Sequence, residues 1–137
     1  ISAKVVRFMQ NSYNSQTQDL LVAMGPSIGP CCYEVDLSTA DAFRCQKNAE
    51  DFLFPGKRKG RWMLDLVEVN RRQILSCGIP NTNIQAAGLC TVCRQDAFFS
   101  HRGSGGITGR QINFMMIKED PPYRVLTVDD DLRRLHS

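Results

Sequence analysis

The sequence predicts a chain of the α/β (α+β) class. Three observations carry that expectation: apolar residues recur at helical spacing in separate segments, short apolar runs between them stop at glycine or proline, and the two kinds of segment alternate, though irregularly. At 137 residues, 42% hydrophobic and 23% charged, the composition is that of one soluble globular domain or part of one. No apolar run approaches the roughly 18 residues of a membrane span, so no membrane partner is expected. A net charge of +3 does not imply a nucleic-acid partner either. The one dense basic cluster, "KRKGR" from Lys57 to Arg61, reads as a solvated loop.

The elements follow in order. "ISAKVVRFMQNSY" places Ile1, Val5, Phe8 and Met9 on one helical face, with no capping residue before it. A helix without its own start, in a chain that opens on Ile1, suggests a piece of something longer. "LLVAM", Leu20 to Met24, reads as a short buried strand ended by Gly-Pro, and "CCYEV" as a second strand. In "DLSTADAFRCQ", Asp36 or Ser38 caps a helix whose inner side holds Ala40, Phe43 and Cys45. "LDLVEVNRRQILSCGIP" gives the best local signal. Asp65 and Glu68 stand three apart as a capping box, and Leu64, Val67, Ile74 and Leu75 line one face. Arg71 and Arg72 oppose the dipole near the end, and Gly78 with Pro80 stops the helix. "NIQAAGLCT" and "RQINFMMIKE" read as strands around a turn and the loop "GSGGITG", and the tail 119–137 as an extension.

Six cysteines, Cys31, Cys32, Cys45, Cys77, Cys90 and Cys93, fit reduced thiols in a cytoplasmic setting better than disulfides. Cys45 and Cys77 fall on apolar helix sides, where a thiol behaves as a small hydrophobe. Cys90 and Cys93 have the C-x-x-C spacing of a structural zinc half-site. Cys31 and Cys32, adjacent on an expected strand, would point to opposite faces, which argues against a shared metal. A redox C-x-x-C is disfavoured because the motif follows a strand instead of opening a helix. "GSGGITGR" matches no phosphate-loop pattern, and with no helix behind it the dipole argument is lost. Its glycines still allow close approach of an anion, with Arg102 and Arg110 as holders; a plain glycine-rich turn is an equal reading. For a Cys-His nucleophile pair only His101 and His136 are available.

Three stretches together, "GPSIGPCCYEV", "CTVC" and "DAFFSHRGSGGITGRQINF", resemble the second half of the YfiH or laccase-domain family over residues 1–118. The resemblance implies a mixed β-sheet flanked by helices, an incomplete YfiH-like fold. It also implies a zinc-dependent purine nucleoside phosphorylase that deaminates adenosine as well, taking adenosine, inosine, methylthioadenosine and phosphate. Copper-dependent polyphenol oxidation would be a further activity. The family's metal is held by a His, a Cys and a His of the first half, so no metal ligand carries over to this chain, and the piece alone is expected to be inactive. On the same resemblance Ser27, Gly29, Cys31, Phe99, Arg102 and Arg110 are the substrate-binding candidates, with Cys31 facing the pocket and Cys32 packed behind. Where the family commonly has Tyr-Arg-Arg-Asp, this chain has His101, Arg102, Gly103 and Ser104. That departure leaves Arg102 as the only match in the run and keeps a second reading open, a non-catalytic binding module.

Overall fold

The computed structural model describes residues 1–116; the expected tail 119–137, with His136, lies outside the described residues. Along the chain run α1 (Ser2–Tyr13), β1 (Val22–Met24), β2 (Glu34–Asp36), α2 (Leu37–Arg44), β3 (Leu53–Pro55), β4 (Arg61–Leu64), α3 (Leu66–Ser76) and β5 (Ile84–Ala86). The strands form a parallel pair, β1-β5, and an antiparallel triplet ordered β2-β4-β3. Helices with both strand polarities are the α/β (α+β) arrangement expected. Among the described residues no helix is long and apolar enough to cross a membrane.

Two apolar clusters organise these elements. Under the triplet, Val35, Ala40, Phe52, Leu53, Leu64 and Val69 pack together, with Tyr33, Phe43 and Trp62 closing over them. Beside the parallel pair, Val6 of α1 meets Ile74 and Ile79, with Val22, Met24 and Ile84 against them. α1 therefore docks through Val6, while Ile1, Val5 and Phe8 are 96%, 51% and 58% exposed. Periodicity locates an apolar stripe but not which edge of it meets a neighbour, and here the outer edge borders an apolar groove of about 580 Å³ between α1, β1 and α3.

Asp36 caps α2, its carboxylate accepting the Thr39 amide proton at 2.8 Å, so Ser38 is not needed. Asp65 caps α3 by accepting from the Glu68 amide at 3.0 Å. The return bond of the capping box is absent, because the Asp65 amide donates to the Phe52 carbonyl at 2.8 Å. Glu68 instead accepts from Arg71 Nε at 3.1 Å and Arg72 Nε at 2.8 Å, two charge-assisted bonds in place of one amide. Burial pushes the Glu68 carboxyl up, but the two guanidiniums outweigh it and hold it below its ordinary value. The arginines thus serve Glu68 in mid-helix and not the last carbonyls, and Leu64 sits in β4 rather than on the helix.

The basic run lies mostly in the turn between β3 and β4, where Arg58 pairs with Glu34 and Arg61 begins β4. Cys45 is exposed, its thiol directed at the Ala42 carbonyl 3.7 Å away, so it is not a core residue. Residues 110–116, expected as the start of a strand, run without one. A strand needs a ladder partner, and among the described residues none pairs with this segment, which leaves Ile112 and Phe114 exposed. Gln111 ties it to the loop after β1 by donating its side-chain amide to the Pro26 carbonyl at 3.4 Å, and Met115 lines the groove beside α1.

Candidate functional site

β1 and β5 run side by side with Val22 opposite Ile84 and Met24 opposite Ala86. The pairing resumes beyond them as a single parallel bridge between Ser27 and Cys90. There the Ser27 amide donates to the Leu89 carbonyl at 3.2 Å and the Thr91 amide to the Ser27 carbonyl at 3.0 Å. In parallel sheets, ligands collect beyond the carboxyl ends of the strands. At that end lies a cavity of about 280 Å³ lined by Ser27, Gly29, Cys31, Asp65, Gly88 and Cys90, among others. α3 contributes Val67 and its capping residue Asp65; a cap signal in a sequence marks a helix start and says nothing of a cavity beside it.

The six candidate residues do not all meet. Ser27, Gly29 and Cys31 share the cavity just described. Phe99, 56% exposed, lines a separate one of about 410 Å³ with Phe98, Ser100 and Thr108. Arg102 reaches back to β2: its Nη1 donates to the Glu34 carbonyl at 2.9 Å, and its guanidinium stands 5.3 Å from the centre of the Tyr33 ring. Arg110 is exposed and borders neither cavity. It precedes the Gln111 contact to Pro26, which keeps its segment beside the loop after β1. His101 belongs to its own turn, where its carbonyl accepts the Gly106 amide at 2.9 Å.

The structure corrects the expected placement of the thiols. Cys31 and Cys32 lie in a turn, not a strand, with the amides of Cys32 and Tyr33 both bonded to the Gly29 carbonyl at 3.0 and 2.9 Å. Alternation to opposite faces holds for extended chain and not for a coiled turn, so both side chains can look the same way. Cys90 leads into consecutive turns in which the Arg94 amide bonds back to the Cys90 carbonyl at 3.0 Å. The four sulfur atoms of Cys31, Cys32, Cys90 and Cys93 all lie within 4.8 Å of one another. Cys93 Sγ is 3.6 Å from Cys31 Sγ and 3.5 Å from Cys32 Sγ. At Gly29 an added Cβ would come 3.3 Å from Cys90 Cβ and 3.4 Å from Cys31 Sγ, a tight fit that a side chain would enter only if a neighbour gave way by a few tenths of an ångström.

The environment divides the thiols. Burial raises the Cys90 thiol, but the amides of Gly29, Cys93 and Val92, with the Cys31 thiol, outweigh it and bring Cys90 down to about 6. Cys32 is pushed up to about 12 by burial first and then by its bonds to Cys93, Cys31 and Cys90. Cys31 is raised for the same leading reason. The group therefore favours one thiolate among thiols, because several like charges at such spacing repel. All six cysteines of the chain carry free thiols.

The similarity to known proteins runs along most of the chain. The family model for multi-copper polyphenol oxidoreductase laccase matches residues 1–118. The chain belongs to that laccase family. "Purine nucleoside phosphorylase YlmD" of Geobacillus stearothermophilus is 39% identical over 121 residues, 88% of this chain and 44% of the relative. The crystal structure of YlmD from that organism superposes with a TM-score of 0.72 at 38% identity, covering 80% of this chain and 41% of that one. A protein named "Adenosine deaminase RL5", from an unknown prokaryotic organism, is 35% identical over 89 residues, 64% of this chain and 34% of its own. The chain thus spans less than half the length of the relatives it matches, as a partial member of the YfiH-type laccase family.

A metal is in keeping with a laccase family, and the cysteine group is the set of residues here that could hold one. A His–Cys–His set, as the resemblance implies for the catalytic metal, is not assembled among the described residues: the ligand-type side chains that converge are four cysteines, without His101.

Proposed function

We propose that the protein containing this chain is a purine nucleoside phosphorylase that also deaminates adenosine. The observation that carries the reading is the cavity at the carboxyl end of the parallel pair, lined by Ser27, Gly29 and Cys31. The phosphorylase name borne by relatives up to 39% identical supports it. In this reading residues 1–118 supply the C-terminal part of the catalytic domain and 119–137 a tail. The catalytic zinc has its ligands elsewhere in the protein, and copper would serve only a polyphenol oxidase side activity.

What this chain contributes is then a wall and an anion holder. The turn at Gly29 brings backbone close to the sugar, since no side chain intervenes at that position. Phe99 offers an exposed aromatic face on which a purine can stack. Arg102 and Arg110 offer guanidinium forks to phosphate, which accepts two parallel hydrogen bonds from one fork. Adenosine, inosine and methylthioadenosine all present the same purine and ribose to these groups.

The test is turnover by the full-length protein in the presence and absence of inorganic phosphate. Phosphorolysis of adenosine yields adenine and ribose 1-phosphate only with phosphate, and deamination yields inosine without it. No consumption of any purine nucleoside under either condition would reject the proposal in favour of a non-catalytic binding module. The 137-residue chain by itself is expected to turn over nothing; activity comparable to the full-length protein would show that the metal ligands lie within it.

A further inference from the structure

The geometry points to a structural zinc site made by Cys31, Cys32, Cys90 and Cys93, distinct from any catalytic metal and serving to clamp the loop after β1 to the loop after β5. The first reason is metric. A tetrahedral zinc with bonds of about 2.3 Å to sulfur sets its ligands ~3.8 Å apart. The 3.5 and 3.6 Å contacts of Cys93 and the 4.8 Å limit on the whole group bracket that edge. An iron–sulfur cluster, which inserts several atoms between its cysteines, would hold them farther apart. Tetrahedral all-sulfur ligation by one ion favours zinc.

The second reason is the backbone. Each pair comes from a turn beyond a parallel strand: Cys31 and Cys32 after the Gly29 carbonyl that accepts two amides, Cys90 and Cys93 in the turns that open at the Ser27–Cys90 bridge. The Gly29 amide donates to Cys90 Sγ at 3.3 Å, so one loop already supplies an outer-shell hydrogen bond to a ligand sulfur of the other. Such a bond orients the sulfur and lowers the negative charge it carries toward the ion.

A disulfide explains less. Cys93 is about equally near Cys31 and Cys32, and a bond to one would leave the other and Cys90 grouped without purpose. Zinc uses all four: Zn²⁺ enters, the thiol protons leave to solvent, and four zinc–thiolate bonds form with no change of oxidation state. Two of the cysteines, Cys31 and Cys93, are exposed, which gives the ion a path in. The clamp would fix the wall of the cavity that Gly29, Cys31 and Cys90 line.

The test uses the full-length protein, purified under reducing conditions and loaded with zinc or with cobalt(II) as a spectroscopic substitute. Cys32→Ser and Cys93→Ser should each lose one equivalent of zinc per chain relative to the unmodified protein. Cys45→Ser, on an exposed cysteine outside the group, should lose none. The cobalt form should show intense thiolate-to-metal charge transfer in the near ultraviolet that weakens in the first two variants and not in the third. Zinc content and charge transfer unchanged by Cys93→Ser would overturn the site. So would a native mass lower by two hydrogens with Cys93 joined to Cys31 or Cys32. If Cys93→Ser does not fold, Cys93→His decides: a kept ligand should keep the zinc and lose part of the charge transfer, whereas an unaltered cobalt spectrum would overturn the assignment. None of these readouts depends on nucleoside turnover.

Discussion

Phe52→Ala is expected to cost roughly 3–5 kcal/mol of folding stability, the range for truncating a fully buried aromatic side chain. Phe52 has no exposed surface and lies among Val35, Ala40, Leu53, Leu64 and Val69, so the lost ring leaves a cavity bounded by three strands and two helices. The Arg72 guanidinium stands 5.4 Å from the ring centre, and its contact would go as well. The Asp65 amide bonds to the Phe52 carbonyl, which survives the change, so the cap of α3 should persist. In urea titrations the midpoint should fall with the slope unchanged, the signature of lost stability without altered compactness. Phe52→Leu, which keeps most of the apolar volume, should lose less than half as much. A midpoint for Phe52→Ala equal to that of the unmodified protein would remove this cluster as the organising core.

Arg102→Lys should split the two proposed activities. Phosphorolysis, read as kcat/KM, is expected to fall about tenfold to a hundredfold, corresponding to the roughly 1.5–3 kcal/mol of a charged hydrogen bond. An ammonium is a point charge and cannot reproduce the planar fork that meets two phosphate oxygens at once. Deamination needs water and not phosphate, and should change by less than about twofold, within the roughly 0.5 kcal/mol of a surface substitution away from the groups a reaction uses. The fold should be kept, because Arg102 is exposed and its ties are one carbonyl of β2 and the Tyr33 ring. Among the described residues its guanidinium is seen on no carboxylate. Equal loss of both activities with unchanged thermal stability would place Arg102 on the nucleoside or on the shape of the loop instead of on phosphate.

Where local physics decides, the sequence was readable. Asp65 three residues before Glu68 located the start of α3, and Asp36 that of α2, because a capping carboxylate needs only the amide two or three residues on. What Glu68 does with its own carboxylate was not readable, since two arginines one turn away compete for it and win. The face of α1 was misplaced for a related reason: the stripe is local, but its docking edge depends on Ile74 and Ile79, far along the chain. The cysteine group shows the same limit at the site. All four residues were on view as "CC" and "CTVC", and reading Cys31 and Cys32 as strand turned them apart. Gly-Pro before them and the Gly29 carbonyl that gathers two amides make a turn there, and the turn brings them together. The place of Arg102 on Tyr33 and the Glu34 carbonyl is not legible in the sequence, because it depends on how a distant loop folds back.

In the proposed function, the loops at the carboxyl end of β1 and β5 form the wall of a purine nucleoside site. Amide hydrogen exchange of the full-length protein, with and without a saturating purine nucleoside, tests it most directly. Binding slows exchange where backbone is covered or held still, and a loop with few buried contacts has the most to gain. The expected result is slower exchange in residues 27–33 and 98–104, with the amides of α3 beyond its first turn unaffected. Slowing confined to other parts of the protein, with both loops exchanging as before, would contradict the claim.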